Sequence, residues 1–402
     1  MKTVEGWQTR SLRQLAVINY GRSPAGILAD EGQYPVVGTG GTERAGNDYL
    51  YDGDSIILGR KGTIDRVCFA TGKFWTIDTA YYLSGFANAL PHWLFYFLQT
   101  LDLRQMNEAT GVPSLSRELL YKIEVPTPPE PEQTKIVEIL STVDRAIDQT
   151  QTLIAKQQRI KTGLMQDLLT LGIDEHGNPR SEKTHTFKDS PLGRIPVEWD
   201  AKELRGYLSY LSYGFTNPMP EAGDGPYLIT ATNISDGAIQ YETCRMTTAE
   251  AFKTLLTNKS RPRIGDILIT KDGTLGRLAI VDRVPLCINQ SVAVLRVKEG
   301  VDNSYIKLLL ESTGCQRRML EDAGGSTIKH IYISKLDKMV IALPRERAEQ
   351  EAIKERILFE VNLLSHSADV LKNLVRIKTG LLQDLLTGAK RVTPPLELQT
   401  TQ

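Results

Sequence analysis

The chain has 402 residues, of which 48 are basic and 48 acidic, so its formal net charge is zero. Hydrophobic residues make up 41% of it, which is enough for two or three ordinary domains and excludes a largely disordered chain. No apolar run is long enough to span a membrane, no signal-peptide pattern opens the sequence, and the four cysteines form no Cys-x-x-Cys pair. We therefore expect a soluble, cytoplasmic, multidomain protein without a metal site. Zero net charge argues against a nonspecific polyanion-binding surface but leaves room for a local basic cleft.

The sequence contains an internal repeat. Residues 159–170 and 376–387 are identical except that Leu382 replaces Met165. Upstream, Gly-Asp-Ser-Ile-Ile at 53–57 recurs as Gly-Asp-Ile-Leu-Ile at 265–269, and Trp7 recurs as Trp199. The spacing between the copies grows along the chain, which places most of the extra residues of the second copy between Trp199 and Gly265. Two copies that share a framework of motifs but differ in their loops indicate the same kind of task performed on different targets.

Each copy begins with a globular part, predicted at 1–127 and 196–343. Short apolar runs bounded by Gly and Asp are typical of strands, and helical stretches are expected at 91–106 and 302–320. The fold class predicted for each is α+β, a mixed domain built around a curved sheet. The stretch at 173–195 is predicted to be a linking loop, and 389–402 a flexible tail.

Each globular part is followed by a long predicted helix, at 128–172 and 344–388. Prolines at 128, 129 and 131 favour a helix start, and apolar residues then recur with alternating spacings of four and three. This heptad pattern indicates a coiled-coil seam, and two such helices are expected to pack antiparallel against each other. The apolar seam positions are Ile136, Leu140, Val143, Ile147, Ile154, Leu164 and Leu168 in the first helix, and Ile353, Ile357, Leu364, Leu371, Leu374, Leu381 and Leu385 in the second.

Motifs of catalysis are absent from the sequence. It has no phosphate-binding Gly-x4-Gly-Lys-[Ser/Thr] loop, no Gly-x-Gly-x-x-Gly turn, no Gly-x-Ser-x-Gly elbow and no histidines at metal-ligand spacing. An enzyme that uses the Gly-Asp carboxylates, Asp54 and Asp266, is one alternative. A coiled-coil protein scaffold that does not bind DNA is another, because the seam alone would also drive association.

The loops of both copies carry residues suited to nucleic-acid contact. A strand that runs into a glycine turn bearing cations and hydroxyls suits phosphate or base-edge contacts, and Asn and Gln match adenine. An ordinary surface hairpin, or a side chain that caps a turn, is the alternative for each. The candidates in the first copy are Tyr20, Arg22, Ser23, Thr39, Gly40, Thr42, Arg60, Lys61 and Thr63. Those in the second copy are Tyr213, Thr216, Asn217, Lys271, Asp272, Thr274, Asn289, Gln290, Ser326, Thr327 and Lys329.

The whole chain resembles the specificity subunits of type I restriction–modification systems. The resemblance rests on Trp-x4-Leu, a Gly-Asp-x-Leu-Ile strand with a Lys-Asp-Gly-Thr turn, a Pro-x4-Glu-Gln helix start and a Leu-[Met/Leu]-Gln-Asp-Leu-Leu-Thr helix end, in duplicate. The first copy departs from this pattern, since its turn reads Gly-Arg-Lys-Gly-Thr at 59–63.

The resemblance implies a noncatalytic subunit that recognises double-stranded DNA. Each globular domain would read one half of a split site, while the two helices set the gap and dock two copies of a modification subunit. The chain itself would need no cofactor. The modification subunit would carry S-adenosylmethionine and methylate adenine, and a restriction subunit, where present, would use ATP and magnesium.

Overall fold

We analysed a computed structural model of the protein, which describes residues 4–324 and 329–392. The chain divides into two compact units, which we call unit 1 (Met1–Leu153 with Ser367–Gln402) and unit 2 (Ile154–His366). Each unit combines one globular part with portions of the two long helices. Among the described residues, no helix has both the length and the apolar character needed to cross a membrane.

The globular part of unit 1 contains two four-stranded sheets. The first is antiparallel, in the order Val17–Tyr20, Ala80–Ser84, Ser55–Gly59 and Val67–Ala70. The second has the order Gly41–Gly46, Tyr34–Gly38, Lys73–Thr76 and Tyr51–Asp52, with one parallel pair in its middle. Strands Gln8–Ser11 and Glu124–Thr127 pair with each other. The helices are Leu12–Leu15, Pro91–Gln99, Arg117–Tyr121 and the 3-10 helix Leu103–Met106.

The globular part of unit 2 repeats the first of these sheets. Its four antiparallel strands are Leu208–Tyr213, Val292–Val297, Ile267–Thr270 and Leu278–Ile280. The remaining strands are Arg245–Thr247, Glu221–Ile229 and Leu286–Ile288 in one sheet, and the pairs Ile234–Ser235 with Ala238–Ile239 and Trp199–Glu203 with Val340–Pro344. The helices are Ala249–Thr254, Asn303–Glu311, Thr313–Glu321 and Ile333–Lys338, with 3-10 turns at Leu204–Tyr207, Ala231–Asn233, Tyr241–Thr243 and Asn258–Ser260.

The repeated Gly-Asp motif leads in each unit into the most deeply buried strand. In unit 1, Ile56 enters one hydrophobic core and Ile57 the other, because neighbouring side chains of a strand point to opposite faces. In unit 2, Ile267 and Leu268 divide in the same way between two cores. A strand covered on both faces needs a continuous apolar run, and both copies of the sequence supply one.

The two long helices are Glu130–Leu168 and Arg347–Leu386, with 39 and 40 residues. In unit 1, Ile136 near the start of the first helix shares a core with Leu385 at the end of the second. In unit 2, Leu168 at the end of the first helix shares a core with Ile353 at the start of the second. The helices therefore run antiparallel. Every predicted seam position is at least partly buried. The predicted fold class, two similar α+β domains joined by packed antiparallel helices, is confirmed.

A buried Trp–Glu–Arg cluster ties the start of the second helix to the globular part of unit 2. Glu349 accepts a hydrogen bond from Trp199 Nε1 at 3.0 Å and from the backbone N–H of Ile173 at 3.2 Å. Both terminal nitrogens of Arg180 donate to the same carboxylate, Nη2 at 3.1 Å. Burial lowers the pKa of Arg180, but the hydrogen bond and charge of Glu349 outweigh it and raise the pKa. Arg180 therefore remains a paired cation.

An equivalent cluster lies in unit 1. Glu132 accepts a hydrogen bond from Trp7 Nε1 at 3.0 Å and two from Arg391, from Nε at 2.7 Å and from Nη2 at 2.8 Å. Tryptophan and glutamate occupy matching positions of the two repeats. The arginine does not, because it follows the first long helix in unit 2 and the second long helix in unit 1. Side chains from distant parts of the sequence thus complete each unit.

The structure corrects two predictions for the connecting segments. The stretch predicted as a loop at 173–195 contributes to a hairpin, Phe187–Ser190 paired with Gly193–Pro196, and buries Ile173 and Ile195 in the main core of unit 2. In the predicted flexible tail, Arg391 binds Glu132. The remaining residues of that tail, from 393 onward, lie outside the described residues.

Candidate nucleic-acid interface

In unit 1, the turn after the buried strand is held between two distant segments of the chain. The backbone N–H groups of Arg60 and Lys61 both donate to the carbonyl of Thr79, at 2.9 and 3.1 Å. From the other side, the N–H of Leu115 donates to the carbonyl of Arg60 at 3.0 Å. Gly62 completes the turn with a φ of +83°, a conformation that glycine adopts at low cost. The turn therefore presents its side chains from a fixed backbone.

Aromatic rings and cations meet beside this turn. The guanidinium carbons of Arg60 and Arg117 lie 5.1 and 5.0 Å from the ring centre of Tyr20. The ring of Tyr81 packs edge-on against Tyr20, at 5.2 Å between centres. Burial, together with the neighbouring Tyr20, raises the pKa of Tyr81, whose hydroxyl donates to the carbonyl of Leu115 at 3.0 Å. Because the ring of Tyr20 is 46% exposed, the cluster is open to solvent.

Unit 2 forms the same turn with different side chains. The backbone N–H of Lys271 donates to the carbonyl of Ser291, and its carbonyl accepts from Ile331, both at 2.9 Å. Lys271 Nζ lies 5.6 Å from the ring centre of Tyr213. The matching pair in unit 1 is Arg60 and Tyr20, whose separation of 5.1 Å is similar. The tyrosine and the strand-end cation predicted in each copy are therefore brought together twice.

The cation of unit 2 forms an ion pair, whereas Arg60 of unit 1 forms none with the residues that the structure describes. Lys271 Nζ lies 3.0 and 2.9 Å from the two carboxylate oxygens of Asp272. The same carboxylate lies 2.6 Å from Nδ1 of His330. The three side chains form a compact group of donors and acceptors, which differs in chemistry from the three cations of unit 1.

A glycine follows the tyrosine in each unit because the backbone passes very close to a neighbouring strand. A Cβ on Gly21 would lie 2.0 Å from the carbonyl oxygen of Ile77, and one on Gly214 would lie 1.8 Å from that of Ile288. Any side chain at these positions would displace backbone atoms. The glycines therefore fix where the loop after each tyrosine leaves the sheet.

The other candidates of unit 1 lie at separate places. Arg22 and Ser23 are exposed in the loop after Gly21, and the carbonyl of Arg22 accepts from Trp75 Nε1 at 2.8 Å. Thr39 is buried at the tip of a hairpin. Four further candidates are exposed to solvent: Gly40 and Thr42 on that hairpin, and Lys61 and Thr63 on the turn.

In unit 2, the remaining candidates lie in several loops, among them the loop that follows Tyr213. Asn289 Oδ1 accepts from the backbone N–H of Ser291 at 3.1 Å and from its hydroxyl at 2.6 Å, so it caps a turn. The backbone N–H of Gln290 donates to the carbonyl of Phe215 at 2.8 Å. Exposed candidates are Thr216, Asn217, Thr274, Gln290 and Lys329. Ser326 and Thr327 lie outside the described residues.

Sequence reasoning missed Arg117 and His330, which join the clusters through long-range pairing. Isolated bridges pair Lys61 with Ser114 and Asp272 with His330. Ser114 and His330 are 216 residues apart, within the range of spacings of the internal repeat. Extending the repeat alignment through this segment would have identified it.

The carboxylates of the two Gly-Asp motifs have structural roles. Asp266 is buried and accepts from Arg296 Nε at 2.7 Å and Nη2 at 2.6 Å. Asp54 accepts from the hydroxyl of Thr71 at 2.7 Å. Within residues 4–324 and 329–392, no group of three or more His, Cys, Asp or Glu side chains is placed to hold a metal ion.

Comparison with known sequences identifies relatives. A model of the type I restriction modification DNA specificity domain matches residues 4–158 and 220–360. The MjaVIII type I restriction enzyme specificity subunit of Methanocaldococcus jannaschii is 25% identical over 358 residues, covering 85% of this chain and 78% of that protein. A putative MjaX specificity subunit of the same organism is 28% identical over 326 residues, covering 75% of this chain and 68% of that protein.

Comparison with solved structures shows the same fold. The crystal structure of a type I S subunit from M. genitalium covers 98% of both chains, with a TM-score of 0.64 and 16% identity. A chain solved in a study of complex assembly and conformational transition of the type I R-M system covers 96% of this chain and 99% of its own length, with a TM-score of 0.58 and 17% identity. With a family match over more than half of its residues, the chain belongs to the type I restriction–modification DNA specificity family.

Proposed function

We propose that this protein is the noncatalytic subunit that gives a type I restriction–modification complex its DNA sequence specificity. Unit 1 would read one half of a split double-stranded site and unit 2 the other. One observation carries the proposal: both units hold a cation against an exposed tyrosine on an identically supported turn, while the neighbouring side chains differ. Two domains that read different half-sites need the same backbone support for the contacting turn but different side chains around it.

The charge distribution supports DNA binding that depends on a partner. Residues 1–127 contain 12 Lys and Arg against 13 Asp and Glu, and residues 196–343 contain 18 against 17. Neither globular part is basic overall, so nonspecific attraction to phosphates is weak. We expect the isolated chain to bind DNA weakly and in a strongly salt-dependent way.

The long helices offer equivalent surfaces for two copies of one partner. Leu153 and Ile160 of the first helix are 46% and 44% exposed, and Val370 and Ile377, which occupy the matching positions of the second, are 38% and 52% exposed. Exposed apolar side chains at repeated positions favour docking of two modification subunits. Those subunits would supply S-adenosylmethionine and adenine methylation in the cytoplasm, and a restriction subunit would supply ATP- and magnesium-dependent cleavage.

Methylation mapping tests this proposal directly. The genome of cells expressing the chain with its modification subunit is compared with that of cells lacking only the chain. We expect a split motif with N6-methyladenine in both halves, which disappears in the deletion. Methylation that is unchanged by the deletion contradicts the proposal.

Exchange of one globular part is the sharper experiment. Residues 196–343 are replaced by the equivalent part of a relative with another target sequence. We expect the half-site read by unit 2 to change while the other half stays the same. A change in both halves contradicts independent reading by the two units.

A further inference from the structure

Unit 1 contains a cavity of about 290 Å³ beside the turn that follows its buried strand. Tyr20 and Tyr81 line it together with Arg60, Lys61 and Arg117. Its lining comes from two strands, a turn and the start of the helix Arg117–Tyr121 with the residues before it, so it exists only in the folded unit. The three cations lie on the same open cavity as the exposed ring of Tyr20.

The cations of this cavity have no carboxylate partner. Among the described residues, no Asp or Glu oxygen lies within ion-pair distance of Arg60, Lys61 or Arg117. Two glutamates also line the cavity, but Glu118 pairs with Arg13 outside it, and Glu108 is exposed on the rim. The cavity therefore offers positive charge that the protein itself leaves available.

The Arg117 side chain carries an unsatisfied donor. Its Nε is buried and has no hydrogen-bond partner among the described residues. Buried donors in native proteins are nearly always paired, so the hydrogen bonding of the Arg117 side chain is incomplete as the structure stands. Arg60 uses one terminal nitrogen to bind the carbonyl of Asp78 at 3.0 Å, which fixes its position and leaves its other donors free.

We propose that this cavity binds a hydrogen-bond acceptor group of DNA, either the O6/N7 edge of a guanine or a backbone phosphate, with Arg117 and Arg60 as the donors. The proposal rests on the proposed DNA-reading function of unit 1. A guanidinium presents a planar fork that matches both groups, and the ring beneath it limits its orientation. Arg117 is then a specificity-determining residue that has no counterpart in the sequence motifs.

The matching site of unit 2 has different chemistry. In unit 2 the cation Lys271 is neutralised by Asp272, which is also bound to His330. Arg117 stands two residues after Leu115, and the matching position of unit 2, two residues after Ile331, is occupied by Ile333. The two half-sites are therefore read by different chemistry.

Selection from random duplex DNA tests this inference on the full chain in complex with its modification subunit. Wild-type protein is compared with Arg117→Ala and with Arg117→Lys, which keeps the charge but loses the fork. Arg10→Ala, a partly exposed arginine of unit 1 outside the cavity, is the matched control. We expect both Arg117 variants to lower affinity about tenfold and to change preference in one half-site only, while the control behaves as wild type.

The two acceptor sources are separated by modified DNA. Replacing the guanine by 7-deazaguanine removes N7, and should lower wild-type affinity without affecting Arg117→Ala if the contact is a base edge. If the contact is a phosphate, Arg117→Ala instead loses affinity equally for all sequences and shows a shallower salt dependence, whereas Arg117→Lys keeps the salt dependence of the wild type. Binding and motif unchanged in folded Arg117→Ala overturn the inference alone. Failure of the complex of wild-type chain and modification subunit to enrich any motif overturns the proposed function, and the inference with it.

Discussion

Replacement of Glu349 by alanine should destabilise unit 2 by about 3–5 kcal/mol. Of the two carboxylates that form ion pairs with Arg180 among the described residues, that of Glu349 is the nearer and the more deeply buried, and the Arg180 side chain is 8% exposed. Without it the buried guanidinium would keep only the more exposed carboxylate of Glu198, 3.9 Å from its Nε, which costs more than the loss of a surface ion pair. Trp199 Nε1 and the backbone N–H of Ile173 would lose their acceptor as well.

The equivalent change in unit 1 should cost less. Arg391 is 40% exposed, so after Glu132→Ala its charge can reach water. The remaining cost is mainly the lost hydrogen bond of Trp7, about 1–3 kcal/mol. The same substitution at repeated positions thus separates the cost of a stranded charge from that of a lost hydrogen bond.

Amide hydrogen exchange measured by mass spectrometry is the suitable assay. A chain with two units need not unfold in one step, and exchange reports the opening free energy of peptides from each unit separately. Glu349→Ala should accelerate exchange in unit 2, and adding Arg180→Met should restore part of the protection because no charge is left stranded. If the double variant is destabilised by the sum of the two single effects, the stranded-charge explanation is refuted.

Three further predictions concern pH, packing and helix length. Burial raises the pKa of Asp302, but the hydrogen bonds and charge it receives, chiefly from Lys354, outweigh it and lower the pKa. The ionised Asp302 therefore stabilises the fold fully above its unfolded-state pKa of about 3.9, and this stabilisation is lost as the pH falls through the lower folded-state pKa. The free energy of unfolding should decline below about pH 4 in the wild type, and it should decline less steeply in Asp302→Asn. Gly214→Ala should lower the melting temperature because its Cβ meets the carbonyl of Ile288, whereas Gly223→Ala, with no atom within 4 Å, should not; equal effects would contradict this. Inserting one heptad into each long helix should alter the gap in the methylated motif and leave both half-sites intact, and sequencing of methylated DNA would show any change in the half-sites.

The repeat, the buried strands and the long helices could be predicted because each depends on local pattern. Ile136 and Ile353 lie on heptads, and the apolar runs after Asp54 and Asp266 are continuous, so spacing alone identifies what is buried. Tyr20 and Arg60 could both be predicted as candidates because each lies in a glycine-containing loop or turn of the same copy of the repeat.

The rest depends on contacts between distant segments. Arg117 reaches Tyr20 because the chain between them pairs at Lys61 and Ser114, and no local propensity encodes that pairing. Arg180 follows a helix end in a stretch rich in turn residues, which hides the fact that its side chain is buried. Charge in a loop can be read from a sequence, but its partner is decided by tertiary structure.

The composition of unit 1 has a consequence for synthesis on the ribosome. Its core includes Leu385 and Leu386, and its Trp–Glu–Arg cluster needs Arg391, although the rest of the unit ends at Leu153. At translation rates of about 5–20 residues per second, the 238 residues between 153 and 391 take roughly 10–50 s. Unit 2 is continuous in sequence and can be completed earlier. The part of the protein that is made first is therefore finished last, and its exposed apolar surface must be protected for that interval.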